Sequence, residues 1–159
     1  MPKKICTSCK RNLPSSEFSK GENWKGEYQR GVCKTCTQSI RAGSISSSPY
    51  TYLGQVFSKL KSNRIKQGLD WEIELDYVRA LWDLQKGKCA LSGVHMTWQA
   101  GEGKQDFNVG IDRKDSNKGY IIGNIQLVAQ RVNVMKHTLG ESEFYWWCKT
   151  IVVKKEGGL

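Results

Sequence analysis

The sequence contains no long apolar run and comparatively few acidic residues. Its amino-terminal segment, MPKKICTSCK, is charged and lacks the apolar stretch that a secretory signal peptide needs. No later stretch approaches the length that a membrane-spanning helix requires. We therefore expect a cytoplasmic protein that does not contact a membrane. At 159 residues, the chain has room for one modest domain and a small accessory module.

The shortage of acidic residues leaves a strong excess of positive charge. Lys and Arg total 25 against 15 Asp and Glu, which gives a formal net charge of +10. Such an excess suits a polyanionic partner, because each phosphate that a basic side chain neutralises releases condensed counterions. A basic surface without any partner is the alternative at this point.

Four of the six cysteines form two closely spaced pairs. Cys6-x2-Cys9 and Cys33-x2-Cys36 can place four thiolates around a tetrahedral Zn²⁺. The segment between the pairs is polar and has too few apolar residues to fold without a metal. The pattern predicts a structural zinc site in a small module at residues 1–40. A redox role for either pair is the weaker alternative, because no βαβ pattern surrounds them.

A linker and helices are predicted after this module. Residues 41–49, RAGSISSSP, have the small polar composition of a linker. Apolar residues recur at helical spacing from about Tyr50 to Lys66 and again from about Leu75 to Gln85, and both helices are interpreted as part of the core. Cys89 is interpreted as a buried thiol that holds no second zinc. A last helix begins near Gly140, and its predicted buried face consists of Phe144, Trp147, Cys148 and Ile151.

The stretch from Val109 to His137 combines charged groups with a change of periodicity. A short apolar run ends in Asp112-Arg113, which predicts a strand with two charged side chains at its end. A polar loop follows, and from Asn124 the spacing becomes helical. The predicted apolar stripe of this helix is Ile125, Val128, Val132, Met135 and Leu139, and its polar face is Gln126, Gln130, Asn133 and His137. Such a helix beside the strand end can hold one divalent cation.

These residues resemble a known nuclease motif. The pattern D-R-x-D-x-x-x-G-Y-x-x-x-N from Asp112 to Asn124, followed by N-x-x-K from Asn133, is similar to the HNH, or ββα-metal, endonuclease motif. It matches the variant with Asp-Arg in place of the usual pair, as in phage-type HNH endonucleases and PacI-like restriction enzymes. The resemblance implies an α+β fold. A zinc-ribbon-like module would precede a helical bridge and a ββα-metal core at residues 50–159.

The resemblance further implies a metal-dependent DNA endonuclease that hydrolyses phosphodiester bonds in double-stranded DNA with one Mg²⁺ or Mn²⁺. Asp112 and Asn133 are expected to bind the cation through oxygen. Arg113 stands where many relatives carry a general-base histidine. Because a guanidinium stays protonated, Arg113 is interpreted as a phosphate clamp instead. His137, one turn beyond Asn133, is a candidate base or phosphate contact.

Several neighbouring residues receive supporting roles in this interpretation. Lys136 and Arg64 are interpreted as phosphate contacts, since Lys136 lies outside the apolar stripe and Arg64 belongs to a basic helix end. Asn124 is expected to hold the loop and to cap the helix. If His137 is not the base, that role passes to one of three other residues: His95, Tyr50 or Tyr52.

Two other functions compete with this interpretation. The first is a non-catalytic zinc-containing protein that binds DNA. The second is a nuclease that acts on RNA or on branched DNA. The sequence leaves the recognition sequence, the choice between nicking and double-strand cleavage, and association as a homodimer open.

Overall fold

The computed structural model describes residues 2–23, 25–101 and 105–158. The chain divides into two compact units, Met1–Ile45 and Ser46–Leu159, and the boundary lies within the predicted linker at 41–49. The first five residues of that predicted linker are helical in the structure. Among the described residues, no helix is long and apolar enough to cross a membrane.

The first unit consists of two small antiparallel hairpins and one helix. Strand β1 (Lys3–Ile5) pairs with β2 (Asn12–Pro14). Strand β3 (Phe18–Asn23) pairs with β4 (Gly26–Cys33), and helix α1 (Lys34–Ile45) follows directly. Among the described residues of this unit, the buried apolar ones are Cys6, Phe18 and Cys33. A cluster this small cannot by itself offset the conformational entropy of about 45 ordered residues, so the unit needs a further source of stability.

Two helices begin the second unit. Helix α2 (Pro49–Lys66) starts where the Ser48 side chain accepts a hydrogen bond from the backbone N–H of Thr51, with a proline in the first turn. Helix α3 (Leu75–Leu84) packs beside it, and both send apolar side chains into one core. The two helices predicted from the sequence are therefore confirmed.

A ββα unit forms the middle of the second unit. Strand β5 (Val109–Arg113) pairs antiparallel with β6 (Ile125–Ala129), and helix α4 (Gln130–Lys136) follows β6 without a loop. With α2, α3 and the last helix around it, this arrangement is an α+β fold, as predicted. The described part of the chain contains no sheet with more than two strands.

The prediction of a continuous helix from Asn124 is wrong, because Ile125–Ala129 is a strand. All five side chains of β6 are buried, so its sequence lacks the alternation of a half-buried strand, and Ile125 and Val128 fit a helical spacing by chance. The pairing with β5 decides its conformation. The predicted apolar stripe breaks down accordingly, and Met135 is 55% exposed.

The loop between β5 and β6 is fixed against the segment that precedes α3. The backbone N–H of Tyr120 donates to the Asp70 carbonyl at 2.8 Å, and the N–H of Glu72 donates to the Tyr120 carbonyl at 2.9 Å. The Tyr120 ring stacks on Trp71 with 4.7 Å between the ring centroids. A Cβ on Gly119 would collide with the Asp70 backbone, so only glycine fits at this close approach.

The last helix, α5 (Glu141–Lys155), is present as predicted, but most of its predicted buried face is not buried. Phe144 is the buried residue of this helix, whereas Trp147 is 48% and Ile151 65% exposed. Cys148 is half-buried rather than buried, while Cys89 is buried as expected. Apolar residues occur all round α5, so its spacing does not distinguish a core face from a solvent face.

Candidate active site

One cavity of about 290 Å³ lies between β5, α4 and α2. Its wall includes all four residues that the sequence suggested for catalysis, together with a basic residue of α2. These five residues are Asp112, Arg113, Asn133, His137 and Arg64.

Gly110 allows α4 to pack closely on β5. A Cβ at this position would lie 3.1 Å from Gln130 Oε1 and 3.3 Å from Asn133 Nδ2. Gly110 and Asp112 are two positions apart and therefore share one face of the strand. The amide of Asn133 consequently lies on the side of β5 to which Asp112 belongs. This is how a strand and a two-turn helix bring two oxygen-bearing side chains together.

The Asp112 carboxylate is buried and held by two donors. Lys136 Nζ lies 3.3 Å from each of the two carboxylate oxygens, and Gln126 Nε2 donates to Oδ2 at 3.0 Å. Asp112 is 5% exposed, so its remaining access is through the cavity that it lines. The orientation of this carboxylate is thus set by the protein itself.

The structure corrects the phosphate-contact role that the sequence suggested for Lys136. The Lys136 side chain is 0% exposed, and Nζ also donates to the backbone carbonyl of Arg113 at 2.8 Å. Lys136 is the last residue of α4, and its side chain extends toward β5 instead of toward solvent. A side chain in this position cannot reach a DNA phosphate.

Two residues near Asp112 were missed from the sequence. Gln126 lies opposite Asp112 in the register of β5 and β6, and the same Nε2 also donates to Glu141 Oε1 at 2.8 Å. The signal existed in the sequence, because reading residues 125–129 as a strand would have placed Gln126 beside Asp112. The contact with Glu141 depends on how α5 folds back and has no local signature.

Arg113 occupies the cavity wall with its guanidinium partly constrained. Nη1 donates to the Lys118 carbonyl at 2.8 Å, and Cζ lies 5.4 Å from the centroid of the Tyr120 ring. Stacking on an aromatic face is typical of arginine and leaves other N–H groups available. The group can therefore bind an anion in the cavity without being free to swing away.

Asn124 holds the β5–β6 loop, as the sequence suggested. Its Oδ1 accepts from the N–H of Asp115 at 3.0 Å, and Nδ2 donates to the carbonyls of Asp115 and Gly119 at 3.1 and 3.0 Å. The expected helix-capping role is wrong, because α4 begins only at Gln130. The residue is 7% exposed and does not belong to the cavity wall described above.

His137 closes helix α4 in an uncommon backbone conformation. Its φ is 51°, its N–H donates to the Asn133 carbonyl at 3.0 Å, and the exposed imidazole lines the cavity. Nδ1 lies 3.2 Å from the Thr138 hydroxyl. When Nδ1 carries the proton and donates it to that hydroxyl, Nε2 keeps a lone pair that can accept a proton.

The other candidate bases lie elsewhere. His95 is exposed and forms an isolated β-bridge with Lys88. The Tyr50 hydroxyl donates to Asp83 at 2.6 Å, and this hydrogen bond raises the tyrosine pKa. Burial raises the pKa of Tyr52, whose hydroxyl accepts from Asn108 Nδ2 at 3.0 Å. A raised pKa makes the phenolate less available, and none of the three belongs to the cavity wall.

Arg64 contributes a second guanidinium to the cavity. It lies in the last turn of α2, and Nη1 donates to Gln67 Oε1 at 2.7 Å. Its Nε is buried and has no hydrogen-bond partner within the described part of the chain. A buried donor without a partner is costly, so Arg64 would gain from an additional hydrogen-bond acceptor.

The first unit contains a separate cluster of four thiols. The Sγ atoms of Cys6, Cys9, Cys33 and Cys36 all lie within 4.8 Å of one another. The backbone N–H of Cys33 donates to Cys6 Sγ at 3.3 Å and lowers the pKa of that thiol to about 6. Arg11 donates to Cys9 Sγ at 3.4 Å and lowers the Cys9 pKa.

The four thiols differ in how readily they ionise. The neighbouring Cys33 side chain is the main reason that the pKa of Cys36 rises to about 11. A cation coordinated tetrahedrally by the four sulfur atoms would stabilise all four as thiolates, and such a set of ligands is one that Zn²⁺ prefers. No other such group of potential ligands occurs among the described residues. The cluster therefore fits a metal ion.

Neither a protein-family model nor a curated protein matches the sequence. Among solved structures, the fold is similar to that of PacI, described as a rare-cutting HNH restriction endonuclease with an unusual mechanism of DNA perturbation. The two chains are 21% identical, with a TM-score of 0.45, and the match covers 97% of this chain and 96% of that one.

The cavity thus combines three chemical functions within one small volume. It contains oxygen donors for a hard cation, two guanidinium groups for an anion, and an imidazole that can accept a proton.

Proposed function

We propose that this protein is a metal-dependent endonuclease of the HNH type that hydrolyses phosphodiester bonds in double-stranded DNA. The observation that carries the proposal is that Asp112, Arg113, Asn133 and His137 line one cavity at the end of a ββα unit. The D-R-x-D-x-x-x-G-Y-x-x-x-N pattern around the first two supports the same assignment.

The proposed metal site consists of Asp112 and Asn133. Their carboxylate and amide oxygens are hard donors, and two protein ligands leave positions for water and for phosphate oxygen, which is how Mg²⁺ and Mn²⁺ are usually held at phosphate sites. When bound, such a cation supplies Lewis-acid stabilisation of the charge on the phosphate and on the departing 3′ oxygen.

Arg113 and Arg64 are proposed to bind the scissile phosphate. Arg113 comes from β5 and Arg64 from α2, so two guanidinium groups from different elements approach one cavity. Each can donate two parallel hydrogen bonds to a phosphate, and neither can act as a base. Their role is to orient the phosphate and to stabilise its charge as it increases in the transition state.

His137 is proposed to take the proton from the attacking water at Nε2. In the tautomer whose Nδ1–H donates to the Thr138 hydroxyl, Nε2 is free to take this proton. The alternative role, a phosphate contact by the protonated imidazole, would affect DNA binding more than the chemical step.

The four-cysteine cluster is proposed to bind one structural Zn²⁺. We assign residues 1–40 to this zinc module, 41–49 to a linker and 50–159 to the nuclease domain. Thiolates remain available for a metal in a reducing compartment, so a cytoplasmic location belongs to the same proposal. The net charge of +10 supports DNA as the partner.

We also propose that a second copy of the chain covers the exposed apolar face of α5. Trp147, Ile151 and Val152 are each about half exposed or more on this helix, beyond what scattered surface residues normally show. The first turn of α5 carries Glu141 and Glu143, and its last turn carries Lys155. Two antiparallel copies of α5 would therefore place acidic turns beside basic turns about a twofold axis.

The test of the nuclease proposal is cleavage of supercoiled plasmid with Mg²⁺ or Mn²⁺. The wild-type protein should cut, whereas Asp112→Asn and Asn133→Leu should lose cleavage while retaining DNA binding. Circular dichroism must confirm folding of Asp112→Asn, because Asp112 pairs with buried Lys136. Full cleavage by both folded variants would refute the active-site assignment. If the wild-type protein binds DNA but never cuts it, the protein is the non-catalytic DNA-binding alternative. If it cuts RNA or branched DNA in preference to double-stranded DNA, it is the nuclease of the second alternative.

A further inference from the structure

We propose that Lys136 is an internal counter-ion that keeps the Asp112 carboxylate in position when no cation is bound, and that Gln126 joins this pair to helix α5. The proposal rests on the metal site assigned above to Asp112. Lys136, Gln126 and Glu141 are positioning residues here, since none of them is placed in contact with DNA or with the cation.

The first observation is the burial of the pair. Lys136 is 0% and Asp112 is 5% exposed. A buried charge is tolerated only with a compensating partner and satisfied hydrogen bonds. Lys136 Nζ has three acceptors, since it lies 3.3 Å from each carboxylate oxygen and 2.8 Å from the Arg113 carbonyl.

The sign of the charge matters for what Lys136 does. An ammonium group next to the carboxylate repels an approaching cation, so Lys136 cannot be there to strengthen metal binding. Without metal, however, the carboxylate would be a buried anion with only Gln126 as donor. Lys136 removes that cost, and the folded site therefore exists before the cation arrives.

The contact with the Arg113 carbonyl extends this role to the strand. The same Nζ contacts the Asp112 side chain and the backbone carbonyl of Arg113. It therefore fixes the end of β5, which carries both of these proposed active-site residues. An ordinary surface ion pair would not restrain the backbone in this way.

Gln126 continues the network across the sheet. One Nε2 group donates both to Asp112 Oδ2 at 3.0 Å and to Glu141 Oε1 at 2.8 Å. Glu141 lies in the first turn of α5. The position of the last helix is thereby tied to the orientation of the carboxylate, through side chains alone.

A double-mutant cycle on the full-length protein tests the proposal by thermal unfolding. The four proteins are the wild type, Lys136→Met, Asp112→Asn and the double variant, each in buffer without Mg²⁺ or Mn²⁺. Chelators are omitted so that the zinc module keeps its metal. Each single variant should unfold roughly 10 °C or more below the wild type, because each leaves one buried charge alone. The double variant should recover much of that loss, since it leaves neither charge.

Addition of Mn²⁺ gives the second readout. Mn²⁺ should raise the midpoint of Lys136→Met by several degrees more than that of the wild type, because the cation replaces the missing positive charge. It should not raise the midpoint of either protein that lacks Asp112. If Lys136→Met does not fold, Lys136→Gln keeps a donor without the charge and should show the same enlarged response.

Two results would overturn the proposal. One is that the two single effects simply add in the double variant. The other is that Mn²⁺ stabilises Lys136→Met or Lys136→Gln no more than it stabilises the wild type. Cleavage plays no part in this experiment. If the wild-type protein never cuts DNA but Mn²⁺ stabilises the Lys136 variants more than the wild type, the nuclease function alone is refuted. If the wild type cuts DNA but its Lys136 variants show no larger stabilisation by Mn²⁺, the role of Lys136 alone is refuted.

Discussion

At the scale of single residues, the division of labour between His137 and Arg113 follows from their protonation chemistry. A guanidinium binds anions and cannot accept a proton, whereas an imidazole near neutral pH can do either. Both groups lie in one cavity wall, but only the His137 ring has a hydroxyl beside one of its nitrogens. The base assignment therefore depends on one side chain and can be tested there.

His137→Asn should lower the single-turnover cleavage rate at saturating DNA by roughly 10²- to 10⁴-fold if His137 is the general base. Asparagine is chosen because the φ of His137 is 51°, and asparagine tolerates positive φ better than alanine does. The exposed His95 supplies the control, since His95→Asn should leave the rate unchanged. A normal rate with weakened DNA binding would instead make His137 a phosphate contact.

At the scale of secondary-structure elements, the site depends on how closely α4 approaches β5. The absence of a side chain at Gly110 lets Gln130 and Asn133 lie directly against the strand. Because α4 follows β6 without a loop, any shift of the helix moves Asn133 and His137 together. The close approach of the Gln130 and Asn133 side chains to β5 thus depends on a single glycine.

Gly110→Ala should push the Gln130 and Asn133 side chains away from β5 and lower the cleavage rate by roughly 10- to 100-fold, since small displacements of reacting groups are costly. The overpacking should also lower the free energy of unfolding by about 1–3 kcal/mol. Gly54→Ala on α2 is the matched control, because its Cβ would meet Leu75 at an ordinary 3.8 Å. That change should be neutral or should stabilise the helix by about 0.5–1 kcal/mol. Equal rates for both variants would show that the approach of α4 is not critical.

At the scale of the whole molecule, the two compact units have different sources of stability. The second has a continuous apolar core, whereas the described part of the first has one buried apolar residue other than cysteine, Phe18, beside its four thiols. Metal binding and folding should therefore be the same event in the first unit and separate events in the second.

Elemental analysis should find one zinc per chain. Cys9→Ser should release that zinc and unfold residues 1–45, while the helical circular-dichroism signal of the second unit persists. Cys148→Ser, which changes a thiol outside the cluster, should keep the zinc. A protein that folds fully without zinc, or that binds two, would contradict this prediction.

The self-association proposed for α5 has a similarly direct test. Ile151→Lys should convert a dimer into a monomer in light scattering, because it places a charge in the apolar face. Ile122→Lys is the control, since Ile122 is 69% exposed against 65% for Ile151 but lies outside α5. A wild-type protein that is monomeric at high concentration, or equal effects of the two substitutions, would remove α5 as the interface.

Local spacing was sufficient to find several features of this protein from its sequence. The four cysteines, the helices α2 and α3, and the strand ending in Asp112-Arg113 all depend on residues close together in the chain. Asn133 and His137 do line one cavity, although His137 follows the end of α4 instead of belonging to the helix as predicted.

Only the tertiary structure decided the remaining features, because they depend on contacts between distant segments. Strand β6 was mistaken for helix because burial on both faces removes periodicity, and its partner β5 lies a whole loop away. Lys136 points inward because Asp112 and the Arg113 carbonyl offer it acceptors beneath the strand. Burial and charge pairing of this kind are properties of the packed molecule, and no spacing along the chain encodes them.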